Sequence, residues 1–293
     1  MNDSEWLADR FEEQRPRLRS VAYRMLGSIT EADDALQDAW LRVSRAGADD
    51  VDNMNGWLTT IVARVCLNML RARNRRREES FEEHLPDPIV SEYGAAQPEE
   101  QALLADSVGL ALLVVLDTLT PAERLAFVLH DMFELPFDEI APMVDRTPEA
   151  TRQLASRARR RVKGAEVTAP DPDLARQREV VDAFFAAARR GDFDGLVSVL
   201  DPDVVLREDL SVKRPLQVFR GATAVVSRAR LGGGIPGAEI RPVIINGGAG
   251  AVVTARGEPY AVIAFTVRGG RISEIDAIVG RSRVRRIAAA VLA

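Results

Sequence analysis

The sequence predicts a multidomain fold, two all-α units followed by an α+β unit, and three observations carry that reading. Apolar residues recur at three- and four-residue spacing over 5–77 and again over 100–163, on either side of a proline- and acid-rich stretch. A short helix, a tight turn and a longer basic helix follow one another over 137–163, the order of a helix-turn-helix. After Ala169-Pro170-Asp171-Pro172 the pattern changes to two helices and then short strands punctuated by glycine. A chain of 293 residues suits several cores, and 46% hydrophobic with 28% charged residues is the composition of a folded protein.

In the first unit, expected over 1–78, the opening helix carries Phe11, Leu18, Val21, Ala22, Met25 and Leu26 and closes at Gly27. Thr30 is the expected N-cap of a second helix, with Glu31, Asp33 and Asp34 at its positive end. That helix points Ala35, Leu36, Ala39, Trp40 and Val43 inward and Gln37, Asp38 and Arg42 outward. Residues 46–56 read as a polar loop holding Asn53 and Asn55. A third helix runs from Trp57 through Arg64 to a block of Arg71, Arg73, Arg75, Arg76 and Arg77.

Residues 79–101 read as an irregular acidic linker with Pro86, Pro88 and Pro98. The second unit, 102–165, opens on a stripe of Leu103, Leu104, Val108, Leu112, Leu113, Val115 and Leu116. Thr120 and Pro121 then start a helix with a cap and a first-turn proline. Helices are expected over 137–144 and 148–163, joined by a turn at 145–147, with Thr147 as the second N-cap. On the longer one Thr151, Leu154, Ala155, Ala158 and Val162 share a packed stripe, which leaves Arg152, Gln153, Ser156, Arg157 and Arg160 outward. Past a short linker at 166–172, the third unit, 173–293, reads as helices over 174–190 and 193–200. Strands follow over 204–207, 216–219, 239–245, 251–255, 260–267 and 271–279, as a curved antiparallel sheet.

No apolar run reaches the length that spans a bilayer, and the acidic start is not a signal peptide, so a cytoplasmic protein without membrane contact is expected. Cys66 sits in an apolar helical run and reads as a buried hydrophobe. One cysteine and the distant His84 and His130 offer no metal-ligand spacing, and no cofactor is expected. The formal charge of −5 hides two basic blocks, at 71–77 and 152–163, separated by acids. An α-helix fits the major groove, where outward Arg and Gln donate to base edges while neighbouring arginines neutralise phosphate. Two basic helices in separate units joined by an acidic linker suit two separated elements on one duplex.

The order and spacing of these residues resemble the extracytoplasmic-function sigma factors of the sigma-70 family. Glu31-Ala32-Asp33-Asp34-Ala35-Leu36-Gln37-Asp38-Ala39-Trp40-Leu41-Arg42-Val43 is similar to the region 2 helix that docks on the polymerase clamp. Gly56-Trp57-Leu58 to Arg76 is similar to the helix facing the minus-ten element. Leu119-Thr120-Pro121-Ala122-Glu123-Arg124 and Phe137-Asp138-Glu139-Ile140-Ala141 resemble the lead-in to the minus-35 helix of region 4. The resemblance implies core RNA polymerase as partner, through the β′ clamp and the β flap, with Asp34, Gln37 and Asp38 in contact. Asn53, Asn55, Trp57, Arg64, Arg71, Arg73, Arg75 and Arg76 would meet the minus-ten element, and Arg152, Gln153, Ser156, Arg157 and Arg160 the minus-35 duplex of promoter DNA. An anti-sigma protein stays an open partner.

The last 120 or so residues resemble the SnoaL-like, NTF2-like domain that ends one sigma subgroup. His84-Leu85-Pro86-Asp87-Pro88 stands where that subgroup has Trp-Leu-Pro-Glu-Pro. Its Asp-Gly-Gly-Gly-Lys reads here Asp209-Leu210-Ser211-Val212-Lys213, and its Asn-Pro-Asp-Lys-Leu reads Gly280-Arg281-Ser282-Arg283-Val284. His84, Leu85, Pro86, Asp87, Pro88, Asp209, Lys213, Arg281 and Arg283 are therefore the expected regulatory residues, in an intramolecular contact of the C-terminal domain with the linker. Two rivals remain: a helix-turn-helix regulator whose NTF2-like domain senses a small molecule, and an enzyme using Glu208 or Asp209 as general base. No histidine follows His130, so no catalytic set is expected.

Overall fold

The computed structural model describes residues 3–46, 51, 53–80, 84–93, 109–164, 170–210, 214–233 and 236–292. The chain divides into two compact units, Met1–Ser80 with Leu112–Val167 and Phe81–Ala111 with Thr168–Ala293. Among the described residues no helix is long and apolar enough to cross a membrane.

The first unit is helical: α1 (Asp3–Leu26), α2 (Ile29–Ala46), α3 (Met54–Ser80), α4 (Leu110–Asp117, in this unit from Leu112 on), α5 (Pro121–Phe127), α6 (Phe137–Ile140) and α7 (Pro148–Gly164). Helices α1 to α3 pack on one another around Phe11, Leu18, Met25, Leu36, Leu58 and Leu67, and Trp40 rests on Phe11 with ring centroids 5.3 Å apart. Gly27 ends α1 at φ 74°, a left-handed conformation that a side chain would strain. The chain re-enters a helix at once, so Ser28 and not Thr30 caps α2, its Oγ accepting from the Glu31 amide at 3.4 Å. In the same way Asn53 Oδ1 accepts from the Gly56 amide at 3.0 Å. Helix α3 therefore starts before Trp57, and Asn55 belongs to it rather than to a loop.

The expected Thr120 cap is present at α5, as one half of a capping box: Thr120 Oγ1 accepts from the Glu123 amide at 3.4 Å, and Glu123 Oε2 accepts from the Thr120 amide at 3.2 Å. Helix α5 runs into a π-helical turn, Val128–Met132, and α6 into a 3₁₀ turn, Ala141–Met143. Asp145, at φ 55°, turns the chain into α7, where Thr147 Oγ1 accepts from the Ala150 amide at 3.3 Å.

The second unit holds β1 (Val90–Glu92), α8 (Leu174–Arg190), α9 (Phe193–Val199), β2 (Leu200–Asp209), β3 (Gln217–Arg220), α10 (Ala222–Gly233), β4 (Ala238–Ile245), β5 (Gly248–Ala255), β6 (Glu258–Arg268), β7 (Arg271–Val279), α11 (Arg281–Ile287) and α12 (Ala289–Leu292). Among the described residues its sheet has seven strands in the order β1-β4-β5-β6-β7-β2-β3. The α+β class is as expected, but the sheet is mixed: β2 and β7 run parallel, a pairing between distant segments that local pattern does not encode. The irregular linker also contributes a strand, β1, antiparallel to β4.

Asp173 caps α8, accepting from the Ala175 and Arg176 amides at 3.0 and 3.1 Å. Helices α8 to α10 cover one face of the sheet, where Phe184, Phe185 and Phe265 meet edge to face with centroids 5.5 to 5.6 Å apart. Strand alternation turns Leu206, Ile275 and Ala277 to that face and Val243, Ile245, Val252, Val262 and Ile278 to the other. The second set is buried as well, as are Val284 of α11, Val291 of α12 and Ala288 between them, and α11 packs along β6 and β7.

Candidate nucleic-acid interface and linker latch

Along α2 the buried stripe Ala32, Ala35, Leu36, Ala39 and Val43 leaves Asp34, Gln37 and Asp38 exposed on the opposite side. On α3, Arg64, Arg71 and Arg75 are exposed, Trp57 is half-buried, and exposed Asn53 and Asn55 lie at the N-terminal end. Arg76 lies on the same helix, with its side chain outside the described set, and residues 47–50 and 52 of the expected reading loop lie outside the described residues.

Arg73 departs from expectation. Its guanidinium donates to the Leu26 carbonyl at 3.0 Å, to Glu31 at 3.2 Å and to Asp117 at 3.4 Å, so it braces α3 against its neighbours instead of standing outward. The same Asp117 accepts from Arg124 at 3.0 Å, and Arg124, only 2% exposed, donates Nε to the Arg24 carbonyl at 3.1 Å. Burial lowers the pKa of Arg24 to about 10, and its guanidinium lies 5.1 Å from the Phe133 ring centre. Arg73 and Arg124 carry a second kind of information in this sequence: an arginine near an internal acid is a strut.

On α7, Thr151, Ala155 and Ala158 are buried, and Arg152, Gln153, Ser156, Arg157 and Arg160 are all exposed. Acids from elsewhere in the unit pair several cations of this helix. Arg157 and Arg161 approach Glu123 at 3.6 and 3.0 Å, and Arg159 approaches Asp131 at 2.5 Å. Arg152 stacks 5.3 Å from the Phe137 ring centre, which fixes its stem beside the turn.

In the second unit, residues far apart in sequence converge on Asp209, which is 1% exposed. Its carboxylate accepts from the Leu85 amide at 3.0 Å and from Arg283 Nη1 at 2.5 Å, and lies 3.1 Å from His84 Nδ1. Arg283 also donates to the Leu85 carbonyl and to Asp87 at 2.8 Å, and Arg286 holds the other Asp87 oxygen at 2.8 Å. One step further, Asn246 Oδ1 accepts from the Ile89 amide at 2.8 Å, and its own amide donates to the Ile89 carbonyl at 3.0 Å. Pro86 and Pro88 are buried, Arg281 is exposed, and Lys213 lies outside the described residues. Asn246 was missed by sequence reasoning, because Asn-Gly reads as a hairpin turn and nothing local says that its side chain serves a distant segment.

The neighbouring carboxylate faces the other way. Glu208 pairs with Arg228 of α10 at 2.7 Å inside a cavity of about 320 Å³ enclosed by α8, α10 and the sheet. Asp209 is thus not a cavity acid, and Glu208 is held by a guanidinium rather than by a partner that could relay a proton.

The chain matches the Sigma-70 region 2 family over residues 10–76 and the Sigma-70, region 4 family over residues 109–162. It is 38% identical to the ECF RNA polymerase sigma factor SigJ of Mycobacterium tuberculosis, over 89% of this chain and 88% of that protein. It is 33% identical to the probable ECF RNA polymerase sigma factor SigI of the same organism, over 90% of each. The crystal structure of M. tuberculosis SigJ superposes with a TM-score of 0.71 at 33% identity, covering 94% of this chain and 97% of that one. A relative this similar over nearly the whole length, with both sigma-70 regions in order, settles the family: the chain belongs to the extracytoplasmic-function RNA polymerase sigma factors.

Proposed function

We propose that this sigma factor binds core RNA polymerase through the exposed edge of α2, reads promoter DNA with α3 and α7, and has its activity modulated by the second unit's hold on the linker. Asp34, Gln37 and Asp38 present a polar, acid-bearing face to the polymerase clamp. Asn53, Asn55, Trp57 and Arg64 meet unpaired bases of the minus-ten strand, with Arg71, Arg75 and Arg76 on its phosphates and Arg73 left in its internal role. Arg152, Gln153, Ser156, Arg157 and Arg160 meet the minus-35 duplex, Arg152 and Gln153 at base edges and Arg160 on phosphate.

The single observation that carries the reading is the division of α7, with Thr151, Ala155 and Ala158 buried and every residue assigned to DNA exposed. Run-off transcription with core polymerase over a promoter library tests it. Promoter-dependent transcripts are expected, lost in Arg152→Ala with Gln153→Ala; no transcript from any promoter overturns it. The modulating role rests on the Asp209 cluster, and Arg283→Ala should change transcript yield on the promoter so identified. It is a cleaner perturbation than removing the tail, since Val284, Ala288 and Val291 are buried.

A further inference from the structure

We propose that the second unit carries a DNA contact of its own: an open groove flanked by Arg220 and Arg271 that holds backbone phosphate of the duplex beside the minus-35 element. The groove, about 650 Å³, lies at the opposite end of β2 from Asp209. Val197, Leu200 and Pro202 form its apolar side, and Thr223 brings an exposed hydroxyl.

Charge selects the ligand. Elsewhere in this unit Arg178, Arg190, Arg207, Arg228, Arg268 and Arg283 each face a carboxylate at 2.5 to 3.7 Å. Arg220 and Arg271 are exposed and, among the described residues, have no carboxylate partner. No acid lines the groove; Asp201, next to Leu200, accepts instead from the Asp203 amide at 2.9 Å. Two uncompensated guanidiniums on one groove fit an anion, and phosphate takes the guanidinium fork in parallel hydrogen bonds.

Reach selects the source of that phosphate. The Asp171 carboxylate accepts from the Gly269 and Gly270 amides, each at 3.0 Å, and the Asp171 amide donates to the Val267 carbonyl at 2.8 Å. Gly270 precedes Arg271, so the chain arriving from α7 is fastened at the edge of the groove. Exposed Arg176 stands beside the same turn, with Asp171 as its neighbouring acid. Gly164 ends α7 and Asp171 follows seven residues on, a span of at most about 25 Å. A duplex rises about 3.4 Å per base pair, so the fastened turn stays within about seven base pairs of the end of α7. The reach argument rests on the proposed docking of α7 at the minus-35 duplex; the charge argument does not.

The test is fluorescence anisotropy of the full chain over a range of salt. One duplex ends at the minus-35 element found by run-off transcription, and a second is extended by one helical turn on each side. On the extended duplex, Arg220→Ala with Arg271→Ala should bind at least tenfold more weakly at about 0.1 M salt, and the slope of log K against log salt should fall by about 1.8, or about 0.9 per phosphate. On the short duplex the double variant should match wild type. Arg220→Lys with Arg271→Lys keeps both charges and should retain most of the slope. Both side chains are exposed, so native circular dichroism is expected; if the alanine pair fails to fold, Arg271→Glu alone carries the comparison. Unchanged slope and affinity on the extended duplex overturn the site. Saturable binding of inorganic phosphate that the alanine pair abolishes, with duplex binding as in wild type, overturns it too, by assigning the groove to a free anion. Failure of the minus-35 reading looks different: wild type then shows no preference for the element over a scrambled sequence. The groove is in that case read on the scrambled extended duplex, where the same loss of slope is expected and its absence overturns the site.

Discussion

Asp209→Ala is the sharpest perturbation of the linker. The wild-type carboxylate is 1% exposed and receives the Leu85 amide, Arg283 and His84 at 2.5 to 3.1 Å. Truncation leaves a buried amide unpaired and strips Arg283 of its shortest carboxylate contact. Removing one partner of a buried ion pair typically costs about 3–5 kcal/mol. Arg283 is 20% exposed and keeps Asp87 and the Leu85 carbonyl, which places the effect at the lower end, about 3 kcal/mol. If that cost falls on linker opening, the open population rises about a hundredfold, since 1.4 kcal/mol is tenfold. Native-state hydrogen exchange reads this directly: the Leu85 and Ile89 amides should exchange about a hundredfold faster, while the β5 and β6 amides keep their protection. Unchanged exchange at Leu85 would refute the reasoning, and equal acceleration throughout the sheet would mean that Asp209 supports the domain and not the linker.

Four further outcomes are expected. Thr120→Ala removes half of the α5 capping box and should destabilise the first unit by about 1 kcal/mol in urea unfolding. Glu123→Gln keeps a capping acceptor but withdraws the charge facing Arg157 and Arg161, so non-specific duplex binding by the free chain should tighten and become more salt-dependent, as fluorescence anisotropy would report. Burial raises the Asp276 carboxyl from 3.8 to about 6, so its ionisation works against the fold as pH rises from about 4 to about 6. Wild type should therefore lose stability relative to Asp276→Asn across that interval and run parallel to it above, measured by thermal melts. Burial pushes the Cys66 thiol up to about 12, so iodoacetamide should leave it unmodified in the native chain and label it in urea.

What was legible in the sequence was whatever short-range chemistry decides. The helix expected over 174–190 from its amphipathic spacing is α8, with those bounds, and the structure shows Asp173 capping it and Gly191 ending it in a left-handed conformation. The inward and outward faces of α2 and α7 followed from helical spacing alone. The misses have a common physical origin in distant partners. Strand β1, Val-Ser-Glu, exists because β4 is there to pair with it. Arg73 reads as part of a solvated block until Asp117, 44 residues on, turns it inward. The basic run at 281–286 hid the helical spacing of Val284, Ala288 and Val291, which was present in the sequence and outweighed by charge. Helix α10 was lost among the glycines that close it, and with it Arg228.

The pairing of β1 with β4 has a consequence for how the linker can be released. Val243, Ile244 and Ile245 sit at what would otherwise be a bare sheet margin of β-branched residues, and Val90, Ser91 and Glu92 satisfy its backbone. Unpaired margins of this kind recruit strands from other molecules, and here exposed Arg241 and Pro242 guard only the outer part of β4. A linker that simply detached would leave this margin as a template for self-assembly. Release should therefore proceed by exchange, with another strand taking the place of β1 as it leaves. Asp209→Ala should accordingly show concentration-dependent self-association in sedimentation velocity that wild type lacks.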